Sequence, residues 1–223
     1  MNLVLKILIC VIIGYLIGTI NPSYIIGKIQ GFDIRKKGSG NAGASNALIM
    51  FGKIAGILCA IFDIAKASFA VFLTSKIIFP DFKLAFIISS VSVILGHMFP
   101  FYMGFKGGKG IAATAGLILS FHPYFIITGV ILFFGAFFIT HYVSLGSLLV
   151  YAGFMIQMVI CGQTGFFEGM SQAHLIEMYA ITAFLAIMAY VKHWANIKRL
   201  LSGTERKTYL SKKNKVQDGE NNG

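Results

Sequence analysis

The sequence predicts an all-α integral membrane protein: a bundle of about seven transmembrane helices, some short, with cytoplasmic loops forming the site. Three observations carry this. Hydrophobic residues make up 57% and charged residues 12% of 223 residues, and the mean hydropathy is +0.78. A soluble chain of this length needs far more charge to cover its surface. Apolar runs recur along the whole chain, and two glycine-rich polar islands interrupt them.

The apolar segments fall at about 3–25, 54–79, 83–101, 111–121, 124–140, 146–162 and 175–192. The run Leu3–Ile20 lacks a small-residue cleavage site and reads as a first span rather than a signal peptide. Asn21-Pro22-Ser23 ends or kinks that helix, because proline lacks an N–H and clashes with the preceding turn. The stretch 111–121 would rise only about 16 Å, short of a ~30 Å hydrocarbon core. His122-Pro123 makes the next turn, since proline pushes its predecessor out of the helical region. Residues 1–203 are expected to form a single seven-span domain, and 204–223 a basic, polar, disordered cytoplasmic tail.

The net charge of +11 is unevenly placed: eight of nineteen Lys and Arg fall between Lys192 and Lys215. Basic residues beside a span mark the cytoplasmic side and meet anionic lipid heads, so nucleic acid is not the expected partner. Lys28, Arg35, Lys36, Lys37 and Lys53 share that side with Lys106 and Lys109 if the N-terminus lies outside, leaving Lys6, Lys76 and Lys83 opposite. The expected topology is N-out and C-in. Cys10, Cys59 and Cys161 lie in or beside apolar runs without CxxC pairing and read as buried thiols.

The first island, Gly38-Ser39-Gly40-Asn41-Ala42-Gly43-Ala44-Ser45-Asn46, sets four small polar side chains among three glycines. Glycines let backbone N–H groups approach an anion closely. The second runs from His97 and Pro100 through Gly104-Phe105-Lys106-Gly107-Gly108-Lys109-Gly110 into Ala112-Ala113-Thr114, which opens a helix. Helix N-terminal N–H groups and two ammoniums make an anion site. A nucleotide P-loop is excluded: Met103 replaces its first glycine, and Lys109 is followed by Gly110 and Ile111 rather than Ser or Thr.

Three further constellations stand out. His193 and Asn196 are three apart, on one face of a helix, beside Trp194. Asp63 and Lys66 share that spacing inside an apolar run, where charge must pair or function. His141, Ser144 and Ser147 cluster at the fifth-to-sixth turn. The carboxylates are too few and scattered for a cation site, and no cofactor is implied.

These residues resemble the PlsY family of bacterial membrane glycerol-3-phosphate acyltransferases. GSGNAGASN, GHMFPFYMGFKGGKG and HWANIKRLLSGTE match the three cytoplasmic signatures in order, and YVSLGSL and Asp63-Ile-Ala-Lys66 match two further features. The resemblance covers about Asn2 to Glu205. It implies transfer of a fatty acyl group from acyl phosphate to the 1-hydroxyl of glycerol 3-phosphate, giving lysophosphatidate and phosphate, with no coenzyme A or acyl carrier protein as direct donor. It also implies a cell-membrane location and functional coupling to an acyl-phosphate-forming enzyme. The HxxxxD signature of other glycerophosphate acyltransferases is absent: no histidine has Asp five residues later.

Carried over by position, the resemblance assigns catalysis to His193, Asn196, Ser39 and Lys106. Substrate binding goes to Gly38, Gly40, Asn41, Gly43, Asn46, His97, Gly104, Gly107, Gly108, Lys109, Gly110 and Ser144. A hydroxyl attacking a mixed anhydride needs little activation, so positioning and charge neutralisation carry the rate, and a substrate phosphate oxygen or His193 takes the proton. The chain departs from the family at Ile49, where an arginine usually stands, and by Ser45 for threonine and Ala67 for glycine. An isoleucine cannot form the bidentate fork an arginine offers phosphate, leaving Lys53, Arg35 or Lys106 as replacements. Other readings are a paralogue with another acceptor or no activity, and a small transporter built on Asp63 and Lys66.

Overall fold

A computed structural model describes residues 1–82 and 84–209; the rest of the expected tail, from residue 210, lies outside the described residues. Every regular element among them is helical. The helices are α1 (Leu3–Thr19), α2 (Pro22–Ile29), α3 (Ala44–Phe51), α4 (Lys53–Phe72), α5 (Ala85–Met98), α6 (Ile111–Phe121), α7 (Pro123–Thr140), α8 (Val143–Gln163), α9 (Gln172–Lys192) and α10 (Trp194–Leu201). Single 3₁₀ turns lie at Ile34–Lys36 and Phe101–Met103, and α4 continues as a π-helical turn over Leu73–Ile78.

Among the described residues, four helical segments are long and apolar enough to cross a membrane: Lys53–Ile78, Ala85–Met103, Val143–Gln163 and Gln172–Lys192. The pair α1 and α2, bent by 43°, makes a fifth if taken as one span. Two shorter apolar helices, Ile111–Phe121 and Tyr124–Thr140, fill the remaining expected segments. The 111–121 helix is as short as its sequence implies. It starts directly after Gly110 and ends before His122-Pro123.

The chain forms two compact units, Met1–Ile126 and the segment from Ile127 onward. In the first, α1 packs along α5, α4 on α6, and α3 on α4. Lipid tails are as apolar as leucine, so helices in a membrane gain most from close backbone approach. Gly18 and Gly96 provide it. A Cβ on Gly18 would lie 2.2 Å from the Val93 carbonyl oxygen, and one on Gly96 2.3 Å from that of Tyr15. Tyr15 Oη donates to the Phe99 carbonyl at 2.8 Å, fixing the same pair at its polar end.

The break between α1 and α2 comes at Ile20-Asn21, where Asn21 caps α2 by accepting from Tyr24 N, and Pro22 takes the first helical position. Tyr102 Oη donates to the Thr19 carbonyl at 2.6 Å and Lys66 Nζ to that of Ile20 at 2.5 Å, so two carbonyls at the break are satisfied. In the second unit α8 packs on α9, and α10 touches both.

Gly96→Val should be poorly tolerated, because its branched side chain meets backbone rather than a movable side chain. We expect a loss of about 1–3 kcal/mol in reversible unfolding in mixed micelles, the usual cost of overpacking; Gly135→Val, at a glycine whose Cβ would meet nothing within 4 Å, should be neutral.

Candidate active site

The first island folds as a loop over 37–43 that feeds α3, so Ser45 and Asn46 lie in that helix's first turn. Asn46 is fully buried and committed to the loop. Its Oδ1 accepts from Ser39 N at 2.8 Å, and its Nδ2 donates to the carbonyls of Ile34 (2.9 Å) and Lys37 (3.1 Å). Gly38 follows from this: with φ at +61°, its Cβ would sit 2.2 Å from Asn46 Oδ1. Asn21 holds the far side of the loop, Nδ2 donating to the Ala42 carbonyl at 3.0 Å. Ile34, Ala42, Ala47, Cys59 and Met103 form an apolar floor beneath. Ser39 and Gly40 are exposed, Asn41 half-buried and Gly43 buried.

The second island is pinned along its backbone. Phe105 N donates to the Pro100 carbonyl, Gly107 N to that of Met98 and Gly108 N to that of His97, at 3.0–3.1 Å. Gly104 and Phe105 both take positive φ, 61° and 59°. For phenylalanine that is strained backbone, held by the bonds on either side. Gly108 is where the islands meet: a Cβ there would lie 2.2 Å from His97 Nε2 and 2.6 Å from the Ala42 carbonyl oxygen. Gly110, at φ +83°, then turns the chain into α6, whose first N–H groups have no partner within the helix.

Two charged groups fasten these loops. Arg35 Nε and Nη2 bind Asp33 (3.0 and 2.7 Å), and Nη1 donates to the carbonyls of Met103 (2.5 Å) and Lys106 (3.2 Å). The Arg35 hydrogen bonds hold the Asp33 carboxyl below its usual range, and Asp33 in turn raises the guanidinium. Lys66 Nζ lies 2.7 Å from Asp63 Oδ1 and 3.0 Å from His97 Nδ1. The Asp63–Lys66 pairing that the spacing allows is therefore formed. His97 is only 3% exposed, seated between Lys66 and Gly108. Lys106 is exposed, Lys109 half-buried, and Ile49 is exposed on α3.

A second cluster lies in the other unit. Glu205 Oε1 accepts from Ser144 Oγ (2.7 Å) and Asn196 Nδ2 (2.5 Å), and Oε2 from Arg199 Nε (2.7 Å). Burial alone would raise the Glu205 carboxyl; the bonds from Asn196, Ser144 and Arg199 outweigh it and hold the group below its ordinary value. The start of the expected tail is thus tied down through Glu205, and Thr208 N donates to the His141 carbonyl at 2.9 Å. His193, 2% exposed, places Nδ1 at 2.8 Å from the Ala189 carbonyl, which can only accept. Nδ1 therefore carries the proton, and Nε2 is the basic nitrogen of the neutral ring.

The sequence-predicted residues thus fall into two sets. Ser39, Asn41, His97, Lys106, Lys109 and the glycines belong to the joined loops of the first unit, and Ser144, His193 and Asn196 to the second. Arg35, Asn21 and Glu205 escaped the reading as site-builders. Glu205 carried a signal as the end of SGTE, Asn21 as the helix break before Pro22, and Arg35 only as a candidate phosphate ligand. Among the described residues no three His, Cys, Asp or Glu side chains are grouped to hold a metal.

A family model described as glycerol-3-phosphate acyltransferase matches residues 8–203. The chain belongs to that family. A glycerol-3-phosphate acyltransferase of Macrococcus caseolyticus is 38% identical over 212 residues, covering 93% of this chain and 100% of the relative. One of Thermotoga petrophila is 39% identical over 208 residues, covering 91% and 96%. The crystal structure of PlsY, an integral membrane glycerol 3-phosphate acyltransferase, in its glycerol 3-phosphate form superposes with a TM-score of 0.77 at 30% identity, covering 91% of this chain and 96% of that one. A lysophosphatidic acid form superposes equally, at 28% identity. Members of this family are acyltransferases, and with several apolar helices the chain is a multi-pass membrane protein.

Glu205 makes the stability of this acyltransferase pH-dependent. Its depressed folded value means the contribution is full above the unfolded carboxyl pKa of about 4.3 and is lost as pH falls through the folded value. Unfolding measured between about pH 6 and 3 should show a steeper acid loss in the parent than in Glu205→Gln.

Proposed function

We propose that the protein transfers a fatty acyl group from acyl phosphate to the 1-hydroxyl of glycerol 3-phosphate, releasing phosphate and forming lysophosphatidate, the first step of phospholipid synthesis. The observation that carries this reading is the junction of two glycine loops at Gly108 and Ala42, beside Lys106, Lys109 and the start of α6. Such a junction suits a phosphoryl group held by the two ammoniums and the opening N–H groups of α6, the N–H groups of Gly104, Gly107 and Gly108 being already given to carbonyls of the preceding segment. Family membership supports the reading. So does the similar PlsY, whose glycerol 3-phosphate and lysophosphatidic acid forms name the acceptor and product of this reaction.

In this reading Lys106, Lys109 and the glycines Gly104, Gly107, Gly108 and Gly110 hold the acyl phosphate. Gly38, Ser39, Gly40, Asn41 and Gly43 complete the cradle, and Asn46 and His97 act by shaping it. Ser144, His193 and Asn196 serve the acceptor. The hydroxyl oxygen attacks the acyl carbonyl, the bond to the phosphate oxygen breaks, and the proton passes to a phosphate oxygen, with His193 Nε2 the protein group able to share it. Phosphate leaves readily, so charge neutralisation and alignment supply the rate.

Residues 1–203 act as one acyltransferase domain in the cell membrane, N-terminus outside, with Lys28, Arg35, Lys36, Lys37 and Lys53 on the cytoplasmic face. There an acyl-phosphate-forming enzyme would supply the donor. A second reading, another acceptor at the same donor site, is favoured by one observation. Ile49 offers no fork for phosphate, and Arg35 has its guanidinium engaged by Asp33, Met103 and Lys106.

Phosphate release from palmitoyl phosphate by the purified protein tests both readings. We expect release that requires glycerol 3-phosphate and falls on the order of 10²-fold in Lys106→Ala and in His193→Ala, the usual scale for losing one charge-stabilising group. Donor binding without glycerol 3-phosphate-dependent release would mean another acceptor. No donor binding at all would overturn the assignment.

A further inference from the structure

Asp63 and Lys66 have no part in the chemistry above, yet both are almost completely buried: their side chains are 3% exposed. An ion pair in a hydrophobic run is costly and is rarely kept for stability alone. Its surroundings show what it does. Lys66 Nζ lies within bonding reach of three groups: Asp63 Oδ1 at 2.7 Å, the Ile20 carbonyl at 2.5 Å and His97 Nδ1 at 3.0 Å. An ammonium has three N–H donors and accepts nothing. The Ile20 carbonyl takes one, the Asp63 carboxylate is held as an ion-pair partner without a formed hydrogen bond, and the ammonium can only donate toward Nδ1, which must then be bare.

A neutral imidazole whose Nδ1 is bare carries its proton on Nε2. That nitrogen sits at the junction of the two loops, where a Cβ on Gly108 would lie 2.2 Å from Nε2 and 2.6 Å from the Ala42 carbonyl oxygen. His97 Nδ1 is also 3.3 Å from Asp63 Oδ1. With the ammonium between them, Asp63 is its ion-pair partner and Nδ1 its acceptor. Without it, the carboxylate would draw the proton to Nδ1 and leave Nε2 without a proton at the junction.

We propose that Asp63 and Lys66 are positioning residues that fix the tautomer of His97, so that Nε2–H is turned toward the junction of the two glycine loops and the loops keep the spacing an anionic donor needs. Lys66 works through His97 and touches no substrate. The same ammonium holds the α1–α2 break through the Ile20 carbonyl, and Asn21, next in sequence, holds Ala42. One side chain therefore sets both walls of the junction. The functional half of this proposal rests on the acyl phosphate reading; the tautomeric half does not.

The test uses full-length protein in bicelles with ¹⁵N-labelled histidine, the His97 signals identified by their loss in His97→Gln. In the parent at neutral pH, Nδ1 should resonate as an unprotonated ring nitrogen and Nε2 as a protonated one. In Lys66→Met the pattern should reverse or both nitrogens should be protonated, whereas Lys66→Arg, also a pure donor, should preserve it. Palmitoyl phosphate binding without acceptor should weaken roughly tenfold in Lys66→Met and stay near the parent's in Lys66→Arg. Because Lys66→Met leaves a buried carboxylate and could fail to fold, the neutral pair Asp63→Asn with Lys66→Met is measured alongside, with the same weakening expected.

A protonated Nδ1 in the parent would overturn the tautomeric assignment. The predicted tautomer with unchanged palmitoyl phosphate binding in both Lys66 variants would overturn the positioning role. A parent that binds no palmitoyl phosphate would sink the acyl phosphate reading and the positioning role with it, while the ¹⁵N pattern would still decide the tautomer.

Discussion

A single ammonium deep in an apolar helix fixes the polar architecture of the first unit. Lys66 would be untenable at that depth without partners, and the chain gives it three from three places: its own helix, the break after α1, and the end of α5. Each contact helps satisfy a charge that would cost several kcal/mol if left bare, and the two contacts outside its own helix also fasten elements that must not be regular helix. The break at Ile20-Asn21 and the loop after His97 both depend on it.

The same economy governs Arg35 beside the loops and, in the second unit, Glu205. Arg35 is taken up by Asp33 and by two carbonyls of the second loop, and Glu205 by Ser144, Asn196 and Arg199. Neither is exposed enough or free enough in its hydrogen bonding to act as a ready ligand. Ser39 and Lys106 are among the loop groups left facing outward.

Much of this was legible in the residues. The seven apolar runs, the break at Asn21-Pro22, the turn at His122-Pro123 and the Asp63–Lys66 pair all rest on local rules of hydropathy, proline geometry and helical spacing. The short helix α3 did not stand out, and α10 showed only in the His193–Asn196 spacing. Each has eight residues, too few for periodicity to separate a helix from a polar loop. The roles of Arg35 and Glu205 were hidden for another reason. Their partners Met103 and Ser144 lie 68 and 61 residues away in sequence, and no spacing rule reaches across a fold. Asn46 reads from sequence as a ligand, but its amide is fully used in shaping its own loop.

The central claim is that this acyltransferase takes its acyl group directly from a mixed anhydride with phosphate. The most direct measurement is a donor competition: purified protein, glycerol 3-phosphate, palmitoyl phosphate and palmitoyl-coenzyme A carrying different isotopes in their acyl chains, with the product analysed by mass spectrometry. The account predicts lysophosphatidate bearing only the acyl phosphate label. Lysophosphatidate bearing the coenzyme A label would contradict it.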